Sequence, residues 1–137
     1  MKYLVDTNVI SEVRKGQRCH DSVAAWWSRV APEEIFLSVM TIGEIRKGVE
    51  SIRRRDPRSA SMLESWLLQI ISHHRDQILA IELDIVEEWG WMNVPDPLPV
   101  VDGLIAATAK VRGLTLVTRN TADFARTGIS SFNPWRT

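Results

Sequence analysis

Short apolar runs alternate along the chain with longer segments whose apolar residues recur at helical spacing. The runs predict strands at positions 3–5, 35–39, 78–81 and 114–117, and an edge strand at 129–132. Strands that alternate with helices at this spacing are typical of an α/β sandwich with a mostly parallel sheet. In such sheets, ligands bind at the carboxyl ends of the strands.

The helical segments begin near residues that favour helix caps. They are predicted after residue 6, from 41 to 52, from 58 to 74, from 82 to 93 and from 102 to 113. Asp6, Thr41 and Asp102 are the residues expected to cap three of them. The proline-rich segment 95–99 predicts a loop, and the polar segment 118–124 predicts a turn.

The composition is that of one ordinary globular domain. The chain has 137 residues, of which 45% are apolar and 25% charged. Its single cysteine, Cys19, cannot form an internal disulfide, and no apolar run approaches the roughly 18 residues of a membrane span or the pattern of a signal peptide. We therefore expect one domain over residues 1–137, cytoplasmic and without contact with a membrane.

Charge is balanced in total but unevenly distributed. Seventeen basic and seventeen acidic residues cancel, which argues against a nucleic-acid coat protein with a large positive excess. Positions 76–109 carry seven acids and no lysine or arginine, whereas basic residues gather at 46–58 and 110–136. This division suits a cation site with a polyanion beside it. For the run at 53–58 alone, a solvated helix face is the ordinary interpretation.

Four acids stand at predicted strand ends and helix starts. They are Asp6, Glu44, Asp102 and Asp123. Each taken alone has a structural interpretation, as a helix cap, as half of a capping box with Thr41, or as a turn residue. Asp6 and Asp123 follow predicted strands and are expected at the same edge of the sheet. Four carboxylates converging there would repel one another unless a cation held them.

Carboxylate ligands without cysteine or histidine favour a hard cation. Mg²⁺ and Mn²⁺ prefer oxygen ligands, and the three histidines, at positions 20, 73 and 74, show no metal-ligand spacing. One or two Mg²⁺ ions can activate water and neutralise phosphate oxygens in phosphodiester hydrolysis. Acid-rich sites also occur in phosphatases and phosphoryl receivers, so spacing alone leaves these classes open.

Four ordered segments of the chain resemble a known family. They are MKYLVDTNVISE at 1–12, SVMTIGE at 38–44, VDGLIAATA at 101–109 and LVTRNTADF at 116–124. Together they resemble the VapC toxins and their FitB relatives, which are PIN domains. The resemblance runs from end to end and includes Asn133, Pro134 and Trp135 after the last predicted strand. A strand ending in Asp-Thr-Asn is a weak signal by itself, whereas four blocks in this order are a strong one.

The resemblance implies which residues form the site. The implied catalytic residues, which are also the ligands of Mg²⁺ or of Mn²⁺ as a substitute, are Asp6, Glu44, Asp102 and Asp123. The implied supporting polar residues are Thr7, Asn8, Thr118 and Asn120. Of these, Thr118 and Asn120 match residues that support the metal and its waters, while Thr7 and Asn8 orient the first turn.

The resemblance also implies a fold, an activity and partners. The fold is a PIN-domain-like three-layer sandwich, and the activity is that of a magnesium-dependent endoribonuclease that cleaves structured RNA such as transfer or ribosomal RNA. The protein would be the toxin of a type II toxin–antitoxin pair, inhibited by a cognate VapB- or FitA-like antitoxin. A homodimer is expected, and a dimer of dimers with antitoxin bound. Some of the six tryptophans are expected at these interfaces.

Two other functions compete with the ribonuclease. A catalytically silent PIN-fold module that binds RNA or protein would not need all four acids, and their retention argues against it. A phosphoryl-transfer or receiver domain would use an aspartate after the first strand. However, the segment Asp6-Thr7-Asn8 lacks the second aspartate of an Asp-x-Asp motif, and no strand-borne lysine stands near the end of the chain.

Overall fold

A five-stranded parallel sheet forms the centre of the computed structural model, which describes residues 1–136. Its strands are β1 (Tyr3–Val5), β2 (Ile35–Ser38), β3 (Ile78–Leu79), β4 (Thr115–Val117) and β5 (Ser131–Phe132). They lie in the order β3-β2-β1-β4-β5, and every neighbouring pair is parallel. The chain builds outward from β1 in both directions, so the switch in strand order falls between β1 and β4. Ligands of open α/β sheets bind at such a point.

Helices cover both faces of the sheet. Those in the described residues are α1 (Thr7–Val13), α2 (Asp21–Arg29), α3 (Val39–Arg53), α4 (Pro57–His73), α5 (Leu83–Met92), α6 (Val100–Arg112) and α7 (Thr121–Phe124). Helices α1 to α4 bury their apolar residues in one core, and α5 to α7 bury theirs in a second core. These layers confirm the predicted three-layer α/β sandwich. None of the described helices is long and apolar enough to cross a membrane.

The strands contribute side chains to both cores in alternation. Leu4 lies in the core beneath α5 to α7, and its neighbour Val5 lies in the core beneath α1 to α4. Leu116 and Val117 of β4 divide in the same way, because successive side chains of a strand point to opposite faces. A strand buried on both faces is a continuous apolar run, which explains why the sequence pattern found it.

Helix α3 begins earlier than the sequence pattern predicts. Ser38 ends β2 and also caps the helix, since its Oγ atom accepts a hydrogen bond of 3.0 Å from the N–H of Met40. The predicted cap at Thr41 is therefore wrong, because Thr41 is already inside the helix and buried. Glu44 consequently lies in the second turn of α3 and not at the helix start, so the capping box with Thr41 is wrong as well.

Helix α6 also begins before its predicted cap. Pro99 occupies the N-cap position and Val100 is the first helical residue, so Asp102 lies in the first turn and does not cap the helix. The fixed φ of proline suits a helix start, where an N–H has no partner in any case. The helix ends at Gly113 as predicted, with a positive φ of 66°.

Two helices escape the sequence pattern. Helix α2 is capped by His20, whose Nδ1 atom accepts from the N–H of Ser22 at 3.2 Å. Histidine is not among the residues that usually mark a helix start, so this boundary gives little local signal. The segment 118–124, predicted as a turn, contains the single-turn helix α7.

Candidate active site

Asp6 forms the base of an acidic site at the switch point of the sheet. It directly follows β1 and caps α1, and only 5% of its surface is exposed. Its Oδ1 atom accepts a hydrogen bond of 2.8 Å from the N–H of Thr7, and its Oδ2 atom accepts one of 2.8 Å from the hydroxyl of Thr118. Thr118 follows β4, so one carboxylate joins the ends of two adjacent strands.

The environment of Asp6 disfavours its ionised form in the absence of a cation. Burial raises the pKa of the Asp6 carboxyl above its ordinary value, and the donors Thr118 and Thr7 only partly offset this effect. The nearby carboxylates of Asp102 and Glu44 raise this pKa further. A buried carboxylate that other negative charges oppose gains stability from a bound cation.

Asp102 approaches the same place from the opposite side of the sheet. It is half-buried in the first turn of α6. Burial raises the pKa of its carboxyl, and the charges of Glu44 and Asp123 raise it further. The backbone at this turn is closely packed, because a Cβ atom on the next residue, Gly103, would lie 3.0 Å from two atoms of the Trp89 indole.

Glu44 and Asp123 lie at the rim of the site. Both are exposed, on α3 and α7 respectively. The hydroxyl of Thr7 donates a hydrogen bond of 2.6 Å to Oε1 of Glu44 and lies 3.2 Å from the hydroxyl oxygen of Thr41. Thr7 thus links α1 to α3 and restrains the Glu44 side chain. Asp123 acts on the site through the field that it exerts on Asp102.

The remaining polar residues predicted for the site support Asp6 to different degrees. The side-chain amide of Asn8 lies 3.5 Å from Oδ2 of Asp6 and 3.4 Å from the hydroxyl of Thr118. Asn120 contributes its backbone N–H, which donates to the Thr118 hydroxyl at 3.1 Å, while its side chain is exposed. Thr118 is therefore the centre of this small network.

The four acids share one electrostatic site without forming a closed cage. Glu44 raises the pKa of both Asp6 and Asp102, Asp102 raises that of Asp6, and Asp123 raises that of Asp102. Within residues 1–136, no three Asp, Glu, His or Cys side chains are gathered closely enough to form a metal-ligand cluster. Mg²⁺ keeps several of its waters and takes one or two carboxylates directly, so an open arrangement of this kind suits it.

A narrow groove leads away from the acidic site. It encloses about 220 Å³ between α1, α3 and α4. Its lining residues are Thr7, Ser11, Arg14, Glu44, Ile45, Gly48, Leu63 and Trp66. A larger hollow of about 590 Å³ lies elsewhere, beside α5, and contains none of the four acids. The four acids thus stand at an open strand edge and not in this larger hollow.

The sequence pattern missed two contacts at this edge. Thr41 is assigned from sequence as a helix cap, whereas the structure places its buried hydroxyl beside Thr7. Arg119, between two predicted site residues, is stacked on Trp135 with its guanidinium carbon 5.0 Å from the ring centroid. Neither contact leaves a local signal, because both join segments that are distant in the chain or depend on how its end folds back.

The sheet and the site together define the class of this protein. It is an α/β fold with acids at the carboxyl edge of a parallel sheet. A family model described as PIN domain matches residues 3–129. The chain is 31% identical to Toxin FitB of Neisseria gonorrhoeae, covering 96% of this chain and 97% of that protein. It therefore belongs to the PIN-domain family, in the group that contains FitB and VapC proteins.

Other relatives agree with this assignment. The chain is 30% identical to VapC ribonuclease Y4jK of Sinorhizobium fredii, covering 96% of each chain. The crystal structure of FitAcB from Neisseria gonorrhoeae matches with a TM-score of 0.89 at 31% identity, over 98% of this chain and 99% of that one. A toxin–antitoxin complex from Klebsiella pneumoniae matches with a TM-score of 0.66 at 25% identity, over 97% of this chain and 98% of that one.

Proposed function

We propose that this protein is a metal-dependent endoribonuclease, the toxin of a toxin–antitoxin pair, which hydrolyses RNA phosphodiester bonds in the cytoplasm. The observation that carries the proposal is the buried Asp6 carboxylate, fixed by two short hydrogen bonds and opposed by the charges of Glu44 and Asp102. Relatives named as a toxin and as a ribonuclease support the same activity.

The residues at this edge fit a divalent cation. All candidate ligands are carboxylates, namely Asp6, Glu44, Asp102 and Asp123, and this donor set suits Mg²⁺ or Mn²⁺. Burial raises the pKa values of Asp6 and Asp102, and the charges of neighbouring acids raise them further, so a bound cation would favour their ionised forms. When bound, the cation supplies an activated water and neutralises charge on the phosphate.

The chain's own residues position the reacting groups. Thr118 and the N–H of Thr7 hold the two oxygens of Asp6 in one orientation, so this carboxylate does not reorganise during the reaction. Asp102 offers a second, less buried carboxylate, and Thr7 limits the movement of Glu44. Asp123 remains exposed at the rim, where it can orient water toward the phosphate.

The first experiment is a cleavage assay with protein freed of antitoxin. We expect transfer or ribosomal RNA to be cut in Mg²⁺ or Mn²⁺ and to remain intact in EDTA. Asp6→Asn and Asp102→Asn should abolish cleavage, whereas Asp96→Asn, at an exposed loop position, should not. Cleavage that persists in excess EDTA would falsify the metal mechanism.

The same assay distinguishes the catalytically silent alternative. A PIN-fold module that only binds RNA or protein would retain RNA in a mobility shift but produce no new RNA ends under any metal condition. Sequencing of RNA ends after brief expression without antitoxin would identify the substrate and the bond that is cut. Absence of new ends in cells and in vitro would favour the binding module.

An antitoxin is the proposed partner of the acidic site and its groove. The similarity to a toxin–antitoxin complex supports such a partner. The groove begins at Thr7 and Glu44 and ends at the apolar residues Leu63 and Trp66. We propose that an apolar antitoxin segment fills the groove and presents an arginine or lysine to the four acids, because an acidic site attracts a cation.

A second copy of the chain is the proposed partner of α5. Leu83, Val86 and Trp91 on this helix and Val94 just after it are exposed apolar residues, and Trp91 is 81% exposed. The Trp91 indole stands between two hollows of about 590 and 470 Å³. A projecting side chain beside a hollow on the same surface is self-complementary, as a two-fold homodimer requires. We therefore place Trp91 at the proposed dimer interface.

A further inference from the structure

Arg119 is fixed at the edge of the acidic site by its backbone. It stands between Thr118 and Asn120, where the chain leaves β4. Its N–H donates to Oδ1 of Asn8 at 3.3 Å, and its carbonyl accepts from the side-chain amide of Asn133 at 3.2 Å. Arg119 is therefore tied to the turn that carries Asp6 and to the last segment of the described chain.

The side chain of Arg119 is held by an aromatic ring. Its guanidinium carbon lies 5.0 Å from the ring centroid of Trp135, a distance at which a cation and an indole attract each other. Trp135 is itself positioned. Its backbone N–H donates to Oδ1 of Asn133 at 2.9 Å, and its ring packs against the core beneath α1 to α4. The same Asn133 thus fixes both members of the stack.

The positive charge of Arg119 is not neutralised within the described part of the chain. Arg46 and Arg53 form ion pairs with Glu50 and Glu64. Arg119 is exposed and, within residues 1–136, forms no ion pair, although four acids lie at the same edge of the sheet. A cation that stacks on tryptophan beside an acidic site without pairing to it remains available for an anion from outside.

We infer that Arg119, braced by Trp135, binds a phosphate of the RNA next to the scissile bond. This inference rests on the proposed nuclease function. Four carboxylates repel the phosphates on either side of the bond to be cut, and a fixed cation at their rim offsets this repulsion. The planar guanidinium suits two parallel hydrogen bonds to phosphate oxygens, and the stack with Trp135 reduces the freedom that Arg119 loses on binding.

The test measures RNA binding separately from cleavage. In the Asp102→Asn background, the dissociation constant for RNA is measured against salt concentration for Arg119→Gln, Arg119→Lys and Trp135→Leu. Arg75→Gln is the matched control. Arg75 is exposed and precedes β3, so it lies toward the amino ends of the parallel strands, whereas the four acids stand at the carboxyl ends. Thermal unfolding of each variant verifies that it folds.

Arg119→Gln should weaken RNA binding roughly 10-fold, as expected for loss of a charged hydrogen bond. It should also reduce the slope of log affinity against log salt by about 0.7–0.9, the value for one phosphate contact. Arg119→Lys should restore the slope but only part of the affinity. Trp135→Leu should weaken binding with no change of slope, because the charge remains.

Two results overturn the inference. One is an Arg119→Gln protein whose affinity and salt slope match those of Arg75→Gln, and the other is an Asp102→Asn protein that does not bind RNA at all. Neither result decides the nuclease function, because cleavage by the protein with Asp102 intact is scored independently by its dependence on Mg²⁺. If the protein with Asp102 intact cleaved no RNA in Mg²⁺, the proposed function would be contradicted even if Arg119 proved to bind RNA.

Discussion

The hydroxyl of Thr118 donates a hydrogen bond of 2.8 Å to Oδ2 of Asp6, across a separation of 112 residues along the chain. Both residues are buried and both stand at the ends of adjacent parallel strands. This donor lowers the pKa of Asp6 and so offsets part of the larger rise that burial causes. Thr118 therefore favours the ionised form of the central carboxylate.

Replacing Thr118 by valine tests this relationship. Thr118→Val keeps the branched shape but removes the donor, so we expect cleavage to fall about 10- to 100-fold, as for other partners of metal-binding ligands. The free energy of unfolding should fall by roughly 1.5–3 kcal/mol, since a charged group loses a hydrogen bond. Thr118→Ser retains the donor and should stay near wild type. Kinetics and urea unfolding measure the two effects, and a fully active Thr118→Val would show that the bond has no role in the site.

Neutralising Asp102 should stabilise the metal-free protein. Burial and two neighbouring acids raise the pKa of Asp102 in the folded state, so the folded protein holds this proton more tightly than the unfolded chain does. The free energy of unfolding therefore decreases as the pH rises from the pKa of Asp102 in the unfolded chain through its raised pKa in the folded protein. Asp102→Asn removes this loss of stability. The variant should therefore be more stable than wild type at neutral pH, and this difference in stability should vanish in acid.

Urea unfolding in EDTA across this pH range provides the measurement for Asp102. Glu33→Gln, in the turn before β2, removes one negative charge outside the acidic site and serves as the control. An Asp102→Asn protein less stable than wild type at neutral pH would mean that the carboxylate forms a favourable contact in the absence of metal, contrary to the burial and charge repulsion that raise its pKa.

Gly103 should resist substitution because of its contact with Trp89. A Cβ atom would lie 3.0 Å from Cδ1 and Nε1 of that indole, and overpacking of this kind costs about 1–3 kcal/mol. The gain in helix propensity is only about 0.8–1 kcal/mol, so Gly103→Ala should lower stability and disturb Asp102. Gly48→Ala, where no atom lies within 4 Å of the added carbon, should raise stability. Thermal melts that rank the two variants in the reverse order would contradict this packing argument.

Metal and antitoxin should compete for the acidic site. If the antitoxin presents a cation to the four carboxylates, linkage requires that Mg²⁺ weaken its affinity beyond the general screening by salt. Affinity is titrated with Mg²⁺ and with a monovalent salt at equal ionic strength, using wild type and Asp102→Asn. Equal effects of the two salts on wild type would mean that inhibition occurs by blocking RNA access, without a cation in the site.

Removal of the Trp91 indole should dissociate the proposed homodimer. Trp91→Ser deletes the side chain that stands between the two hollows of α5, and aromatic residues at interface centres contribute strongly to association. Met62→Ser, at an exposed position of α4, is the control. Sedimentation should show monomers for Trp91→Ser alone. A dimer that survives this change would place the interface on another surface.

Local patterns were sufficient to predict the layers of the fold and the position of two acids at the edge of the sheet. Strands such as β1 and β4 are buried on both faces, so their apolar runs are visible in the sequence without knowledge of their partners. An acid placed directly after such a run must lie at the carboxyl edge of the sheet, and this argument located Asp6 correctly. The same reasoning brought Asp123 to that edge.

Tertiary structure decided the features that depend on which segments meet. The N-cap residues of α3 and α6, Ser38 and Pro99, differ from the predicted ones, because several residues in each segment can precede a helix and packing selects one of them. The bond from Thr118 to Asp6, the burial of Asp6 and the stack of Arg119 on Trp135 exist only once β1 and β4 are neighbours and the chain end returns to the sheet. A periodic pattern contains no information on such distant pairings, since it records only the side of an element that faces the core.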